Sequence, residues 1–369
     1  MRIKKLCLTH FRNYSSRQIE FSPNISFFYG KNAQGKTNLL EAIHLLCTAQ
    51  SPRTRKTQDT VSWGEAEALI EGVFVSRGQE TEAKLQISKS GEKTIRIGRQ
   101  YLKKTSDLLG QFPAIFFSPD DLEIIKKTPQ GRRRFLDLLF SQASKKYTNA
   151  LLEYQKILKQ RNECLCQIAE HKTNEQALEP WDEALITTGL SITNWRKQGL
   201  EKIVPVAEAI HQELTAGKES LQVKYLCSLG ETKEQAKKNI LKHRRNELAT
   251  KKSCFGPHRD DLAILIDQRE AKAYASHGQQ HTAILSLKLA EFDYIKKAFG
   301  ETPIVLLDDI LLELDSSRFA ALLKNLLEKT QAIMTGTEIG RFQEIALEEI
   351  NFYEVSQGCI KENGPVKVA

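Results

Sequence analysis

Hydrophobic positions change period twice along the chain and divide it into three blocks. In the first, Ile3 to Leu8 reads as a short strand, and Ile25 to Tyr29 is a continuous apolar run that predicts a buried strand. From Lys36 the period lengthens: Leu39, Leu40, Ile43 and Leu46 predict a helix with one apolar face. Ala68 to Tyr101 alternates and is punctuated by glycine, as in a β-meander. Phe116-Phe117-Ser118-Pro119 closes the block.

The middle block is helical. Tyr147, Leu151, Tyr154, Leu158, Arg161, Leu165 and Ile168 step by four and three, and so do Trp181, Leu185, Thr188, Ile192 and Trp195. Glu179-Pro180 separates the two seams and predicts two packed antiparallel helices. The last block returns to mixed character. Ala263–Ile266, Ile304–Leu307 and Ala332–Met334 read as strands, and His281–Phe299 and Ser316–Lys329 as helices. Ile284, Leu287, Phe292 and Ile295 are spaced for burial. The blocks predict an α/β fold in three segments, 1–119, 120–252 and 253–369.

With 369 residues there is room for two or three domains and for a core without disulfides. No internal repeat or low-complexity tract stands out. No apolar run approaches the ~18 residues of a membrane span. Met1-Arg2-Ile3-Lys4-Lys5-Leu6 lacks the apolar stretch of a signal peptide. The seven cysteines are odd in number and scattered from Cys7 to Cys359, which argues against a disulfide framework and for a reducing cytoplasm. Cys164 and Cys166 are too close together and too isolated for zinc.

Charge adds a partner. There are 54 Lys and Arg against 46 Asp and Glu, a net +8 that favours an anionic ligand surface. The stretch from Asp120 to Lys252 holds 24 of these cations and 18 of the acids, and so carries most of the excess.

Gly30-Lys31-Asn32-Ala33-Gln34-Gly35-Lys36-Thr37 matches G-x-x-x-x-G-K-[ST] between a predicted strand and a predicted helix. Small residues let backbone N–H groups wrap phosphates, and the helix N-terminus adds positive potential. Lys36 is expected to reach the β- and γ-phosphates of ATP, and the Thr37 hydroxyl to ligate Mg²⁺. The bland alternative, a glycine turn with an exposed lysine, does not require the flanking strand and helix.

A P-loop needs a carboxylate at a neighbouring strand tip. Ile304-Val305-Leu306-Leu307-Asp308-Asp309 supplies it, with Asp308 holding Mg²⁺ through water and Asp309 polarising the attacking water. Lys36 and Asp308 lie 272 residues apart, much farther than in compact kinases or small GTPases. A large insertion inside the nucleotide-binding domain follows, and the helical middle is the candidate. Ser276-His277-Gly278-Gln279-Gln280-His281 precedes a helix and reads either as an ordinary N-cap or as an anion site. P-loop, then S-x-G-Q opening a helix, then a carboxylate strand, is the order found in ABC-type ATPases.

With these residues the chain resembles the bacterial RecF family of DNA repair and recombination proteins. The resemblance rests on Phe11-Arg12-Asn13-Tyr14, the P-loop, Phe117-Ser118-Pro119-Asp120-Asp121-Leu122 and Arg132-Arg133-Arg134-Phe135-Leu136-Asp137. It continues through Gly256-Pro257-His258-Arg259-Asp260-Asp261-Leu262, the Ser276 turn, and Asp308-Asp309 followed by Glu313-Leu314-Asp315. It implies an SMC-like, ABC-type P-loop ATPase head built from the N- and C-terminal thirds, with an inserted helical arm and no long coiled coil. Two protomers would sandwich two ATP molecules, Ser276, Gly278 and Gln279 completing the partner's P-loop site and Asp315 lying at the seam. Arg12 would join the nucleotide site, and Asp120 would take the place of a residue that senses Mg²⁺ and water. The family acts with RecO and RecR, helps load RecA at gaps and stalled forks, and supports SOS induction. The implied activity is a weak, DNA-stimulated ATPase that switches a clamp on double-stranded DNA and single-/double-strand junctions, without sequence preference, membrane attachment or nuclease activity.

The chain departs from the family pattern in places. His277 stands where Gln is usual, His281 where Arg or Lys is usual, and Leu312 where Ser precedes Glu-Leu-Asp. The switch threonine is placed at Thr335, and His277 is read as a loop residue, which sets aside a His277–His281 metal pair. For DNA the candidates are Arg132, Arg133, Arg134, Arg244 and Arg245, with Lys251-Lys252 extending the basic character. Cations at a helix start oppose its dipole, so either a phosphate partner or salt bridges to Asp137 and the head account for Arg132 to Arg134. The competing classes are a transporter-type nucleotide-binding subunit, disfavoured by the 272-residue gap, and an ATP-gated nuclease, disfavoured by the 60 residues left after Asp309.

Overall fold

The computed structural model describes residues 1–54, 56–309, 330–339 and 350–366. Leu312, Glu313-Leu314-Asp315 and the helix expected over Ser316–Lys329 lie outside the described residues. The chain divides into two compact units, Met1–Asp121 with Lys288–Ala369, and Leu122–Leu287. The break expected at 252 therefore falls inside the second unit.

The first unit opens with β1 (Arg2–Phe11), β2 (Tyr14–Glu20) and β3 (Ile25–Tyr29), followed by α1 (Lys36–Thr48). Then come β4 (Glu67–Ser76), β5 (Gln79–Ser88), β6 (Lys93–Ile97), β7 (Gln100–Tyr101) and β8 (Ala114–Phe117). The expected meander joins the β1–β2 hairpin in one antiparallel sheet, ordered β2-β1-β4-β5-β6-β7. Alternation explains its burial: Ala68, Ile70 and Phe74 on β4 and Ala83, Leu85 and Ile87 on β5 turn to one face and enter the core.

The second unit contains α2 (Glu123–Lys126), α3 (Pro129–Ala143), α4 (Lys145–Ala169), α5 (Glu179–Leu214), β9 (Leu221–Leu226), α6 (Lys233–Thr250), β10 (Asp261–Ile266), β11 (Arg269–Glu270) and α7 (Ala271–Tyr274). Continuous α8 (His277–Phe299) begins here and ends in the first unit. Pro180 sits in the first turn of α5, where its missing N–H costs nothing. The two seams pack as α4 against α5. At their heart is fully buried Arg161. Its Nε donates to Asp182 at 2.8 Å, and its Nη2 and Nη1 donate to Glu247 at 2.6 and 3.1 Å. The strand expected at Ala263–Ile266 is present as part of β10, but its partners are β9 and β11 in a separate three-stranded sheet. It is thus part of the arm unit, not of the ATPase sheet, because its antiparallel partner Leu221–Leu226 lies in the helical block.

The chain returns to the first unit through β12 (Ile304–Leu307), β13 (Ala332–Gly336), β14 (Ile350–Ser356) and β15 (Cys359–Val366). These complete a six-stranded sheet ordered β15-β14-β3-β13-β12-β8. All its pairings are parallel except β14–β15. The helix α1 touches strands of both six-stranded sheets. It buries 11 of its 13 residues, including Glu41 and His44. One apolar face was expected; two sheets enclose the helix, so even its polar positions are buried. Gln331 ties the sheets together at the opposite end: its Oε1 accepts from Ile3 N at 2.8 Å, and its Nε2 donates to Ile3 O at 2.8 Å and Ser22 O at 2.7 Å. No helix among the described residues is long and apolar enough to cross a membrane.

Candidate nucleotide site

Four adjacent parallel strands, β3, β13, β12 and β8, bring their C-terminal ends to one edge of the sheet. That edge is where open α/β sheets bind ligands. Each strand delivers one part of the site: β3 the P-loop, β13 Thr335, β12 Asp308 and Asp309, β8 the Ser118–Asp121 turn.

The P-loop backbone requires its glycines. A Cβ on Gly30 would lie 2.3 Å from Val355 O, and Gly35 at φ +113° would place one 2.6 Å from the Asn13 amide. The loop is braced from behind. Asn13 Nδ2 donates to Gln34 O at 3.0 Å, Tyr14 OH to Gly35 O at 2.9 Å, and Gly358 N to Gln34 O at 3.1 Å. Gln34 Oε1 accepts from Gln357 N at 2.6 Å. Lys36 folds across the loop and donates to Gly30 O at 2.7 Å and Lys31 O at 3.0 Å. Burial lowers its pKa, while Asp309 and Asp308 pull it back up.

Two hydroxyls converge on Asp308 Oδ1: Thr37 Oγ1 at 2.9 Å and Thr335 Oγ1 at 2.8 Å. Thr335 Oγ1 also accepts from Asp309 N at 3.0 Å. Burial raises the Asp308 pKa against the pull of these two hydrogen bonds. Asp309 sits at φ 48°, a left-handed conformation that Asp tolerates better than most residues. Its Oδ1 is buried with no hydrogen-bond partner among the described residues. An unpaired buried carboxylate oxygen beside a hydroxyl-bound carboxylate suits a site that takes up a hydrated cation.

The remaining expectations fare unevenly. Asp120 is exposed; it is Asp121 that turns inward, accepting from Ser118 N at 2.8 Å, with its pKa pushed up to about 6 mainly by burial. Arg12 is engaged by a carboxylate of α1. Its guanidinium grips buried Glu41 through Nε and Nη2 at 2.9 and 2.8 Å, because that carboxylate on enclosed α1 needs a counter-charge. Sequence reading passed over Arg53, whose Nη1 donates to Asn38 Oδ1 at 2.9 Å and whose charge lowers the Asp308 pKa. Arg53 opens the short basic run Arg53-Thr54-Arg55-Lys56 after a helix, which carries no motif. The Gln357-Gly358 brace was missed too, since it reaches the P-loop from 323 residues away.

In the second unit, Ser276 and Gln279 form a reciprocal cap at the start of α8. Ser276 N donates to Gln279 Oε1 at 2.8 Å, and Gln279 N to Ser276 Oγ at 3.3 Å. Ser276 remains exposed. His277 is the first helical residue, not a loop residue, because the cap starts the helix four positions earlier than expected. Its ring lies 4.5 Å from that of His281. No cluster of three or more potential metal ligands forms among the described residues.

The arginines proposed for DNA largely turn inward. Arg132 is buried, donating to both carboxylate oxygens of Asp261 at 2.6 and 3.0 Å and to Ile124 O at 3.0 Å. Arg133 donates to Asp260 O at 2.8 Å. Arg244 pairs with Asp182. Arg134 and Arg245 are exposed. The Arg132–Asp137 and Gly256–Leu262 motifs therefore interlock within one unit. Arg196, itself buried, completes the joint by donating to Asp137 Oδ1 at 2.7 Å and Pro257 O at 2.9 Å.

Fold and site together define an SMC-type, ABC-class P-loop ATPase head. A family model described as RecF/RecN/SMC N terminal domain matches residues 2–361. The chain belongs to the RecF family. It is 36% identical over 370 residues to the DNA replication and repair protein RecF of Macrococcus caseolyticus, covering 98% of this chain and all of that one. It is 38% identical over 362 residues to the protein of the same description from Lachnoclostridium phytofermentans, covering 98% and 100%. A solved structure of the recombination mediator protein RecF with ATP in the RecFOR pathway superposes with a TM-score of 0.90 at 34% identity, covering 98% of this chain and 97% of that chain. An Smc head bound to the C-winged helix domain of ScpA shares the fold at TM-score 0.57 and 17% identity, covering 100% and 98%.

Proposed function

We propose that this chain is an ATP-switched DNA-binding protein of replication-fork maintenance and recombinational repair. The observation that carries the proposal is the meeting of Thr37, Thr335 and Asp308 beside a braced P-loop, in a chain whose relatives are DNA replication and repair proteins. The P-loop N–H groups and Lys36 would hold the ATP phosphates, Lys36 exchanging its carbonyl partners for phosphate oxygens. Thr37 and Asp308 would hold Mg²⁺, whose charge neutralises the phosphates. Asp309, with its unpaired buried oxygen, would accept a proton from the attacking water. Arg12 acts from behind by fixing Glu41 and with it α1.

Exposed Ser276, with Gly278 and Gln279, would complete the P-loop site of a second copy, and Asp315 would lie at that seam. The ATP-bound pair grips duplex or junction DNA by its backbone, and slow hydrolysis releases it. RecO and RecR are the partners through which it promotes RecA loading and SOS induction.

Sedimentation velocity with a short duplex tests this. ATP·Mg²⁺ should produce a DNA-bound dimer, and ADP should return the monomer. A monomer under both nucleotides would overturn the composite site.

A further inference from the structure

Helix α6 carries its charges unevenly. Between Lys233 and Lys252 there are eight Lys and Arg and only two acids, Glu234 and Glu247. Glu247 is buried and belongs to Arg161. On one side of the helix the cations are matched. Lys233 and Lys237 pair with Glu183, Arg244 pairs with Asp182, and Lys251, just past the helix end, lies 3.8 Å from Glu170. Another row is different. Lys238, Lys242 and Arg245 are all exposed, and none has an acidic partner among the described residues. Spacings of four and three put them on one stripe, separated along the axis by about 6 and 4.5 Å. Leu241 sits in the same stripe and is 67% exposed.

Elsewhere on α6 each cation next to an acid is neutralised, so the row's charge is not spent inside the protein. A row of three unmatched cations suits a ligand with repeated negative charge, which a nucleic acid backbone provides along its length. Leu241 and the lysine stems offer aliphatic surface to lie against sugars.

We propose that the Lys238–Lys242–Arg245 row of α6 is the docking stripe for the phosphate backbone of duplex DNA. This rests on the DNA-binding function above and moves the contact from Arg132, Arg133 and Arg244, which are committed to Asp261, Asp260 and Asp182. The bland reading is a solvated helix face that keeps the chain soluble. It predicts no loss of DNA affinity on neutralisation.

The test measures duplex binding by fluorescence anisotropy across a salt series for the full chain, for Lys238→Gln/Lys242→Gln/Arg245→Gln, and for a charge-matched control. The control is Arg99→Gln/Lys103→Gln/Lys104→Gln, three exposed cations flanking β7. Circular dichroism melts check that each folds. The α6 variant should bind at least about tenfold more weakly, with its log–log salt slope reduced by roughly 3, while the control stays near wild type. Equal binding by the α6 variant and wild type overturns the stripe, and so does an equal loss in the control, which would mark a net-charge effect. If wild type itself does not bind duplex, the DNA-binding function fails instead, and the two failures are told apart.

Discussion

Thr37 and Asp308 are 271 residues apart in the chain and 2.9 Å apart in the fold. The hydroxyl follows the P-loop lysine and the carboxylate tips a parallel strand two places away in the sheet. Thr335, on the strand between, closes the arrangement by bonding to the same oxygen. Removing its hydroxyl leaves Asp308 short of one donor and Asp309 N without its acceptor. Thr335→Ala should lower stability by about 1–3 kcal/mol and slow ATP turnover, and Thr335→Ser should restore both. Urea denaturation alongside a phosphate-release assay reads the two effects; a Ser variant as poor as Ala would show that the hydroxyl is not the active part.

Lys36→Met should leave the fold intact and weaken ATP binding by roughly 10- to 100-fold, the worth of a charge-assisted contact to phosphate. Isothermal titration measures it. Unchanged affinity would mean that Lys36 stays on Gly30 and Lys31 when nucleotide binds.

Ser276 has two separable duties, capping α8 and meeting a second copy. Ser276→Ala should lower stability by about 1 kcal/mol through the lost cap. Ser276→Asp keeps a capping oxygen but sets a negative charge at the expected phosphate contact. The Asp variant should melt near wild type, bind ATP, and fail to dimerise in sedimentation. Dimerisation of this variant with ATP would remove Ser276 from the composite site.

His258 provides a pH signature for the second unit. Tyr154 OH meets its Nδ1 at 2.6 Å, its Nε2 lies 3.2 Å from Ser253 O, and burial lowers its pKa to about 4. The unfolded chain takes up this proton first as the pH falls below 6.5, so the stability contribution is full above that value and declines toward pH 4. The stability gap between wild type and His258→Gln should narrow from pH 7 to pH 5. A gap constant across that range would show that folding does not lower the His258 pKa.

The nucleotide edge was legible because its parts are local. A glycine loop between strand and helix, and two acids after four apolar residues, announce themselves without tertiary information. Thr335 was placed by the family resemblance, directly after a short apolar strand. The arginines were harder. Whether Arg132 faces solvent or a carboxylate depends on Asp261, 129 residues later, and no periodicity reports that pairing. The partner of β10 was hidden for the same reason, since β9 is an isolated strand among helices. Arg12 sits in a motif that draws attention to the nucleotide, yet its charge answers Glu41, whose burial follows only once α1 is known to lie between two sheets.

That enclosure sets how a signal can leave the phosphate loop. A helix clasped on both flanks has no free travel, because shifting it would open voids against two close-packed surfaces at once. α1 is therefore a fixed mounting rather than a lever. Nucleotide would be sensed at the rim, by Lys36 changing partners and by the threonine hydroxyls reorienting around Asp308. The response is then one of assembly, in which a rigid half-site waits for its complement.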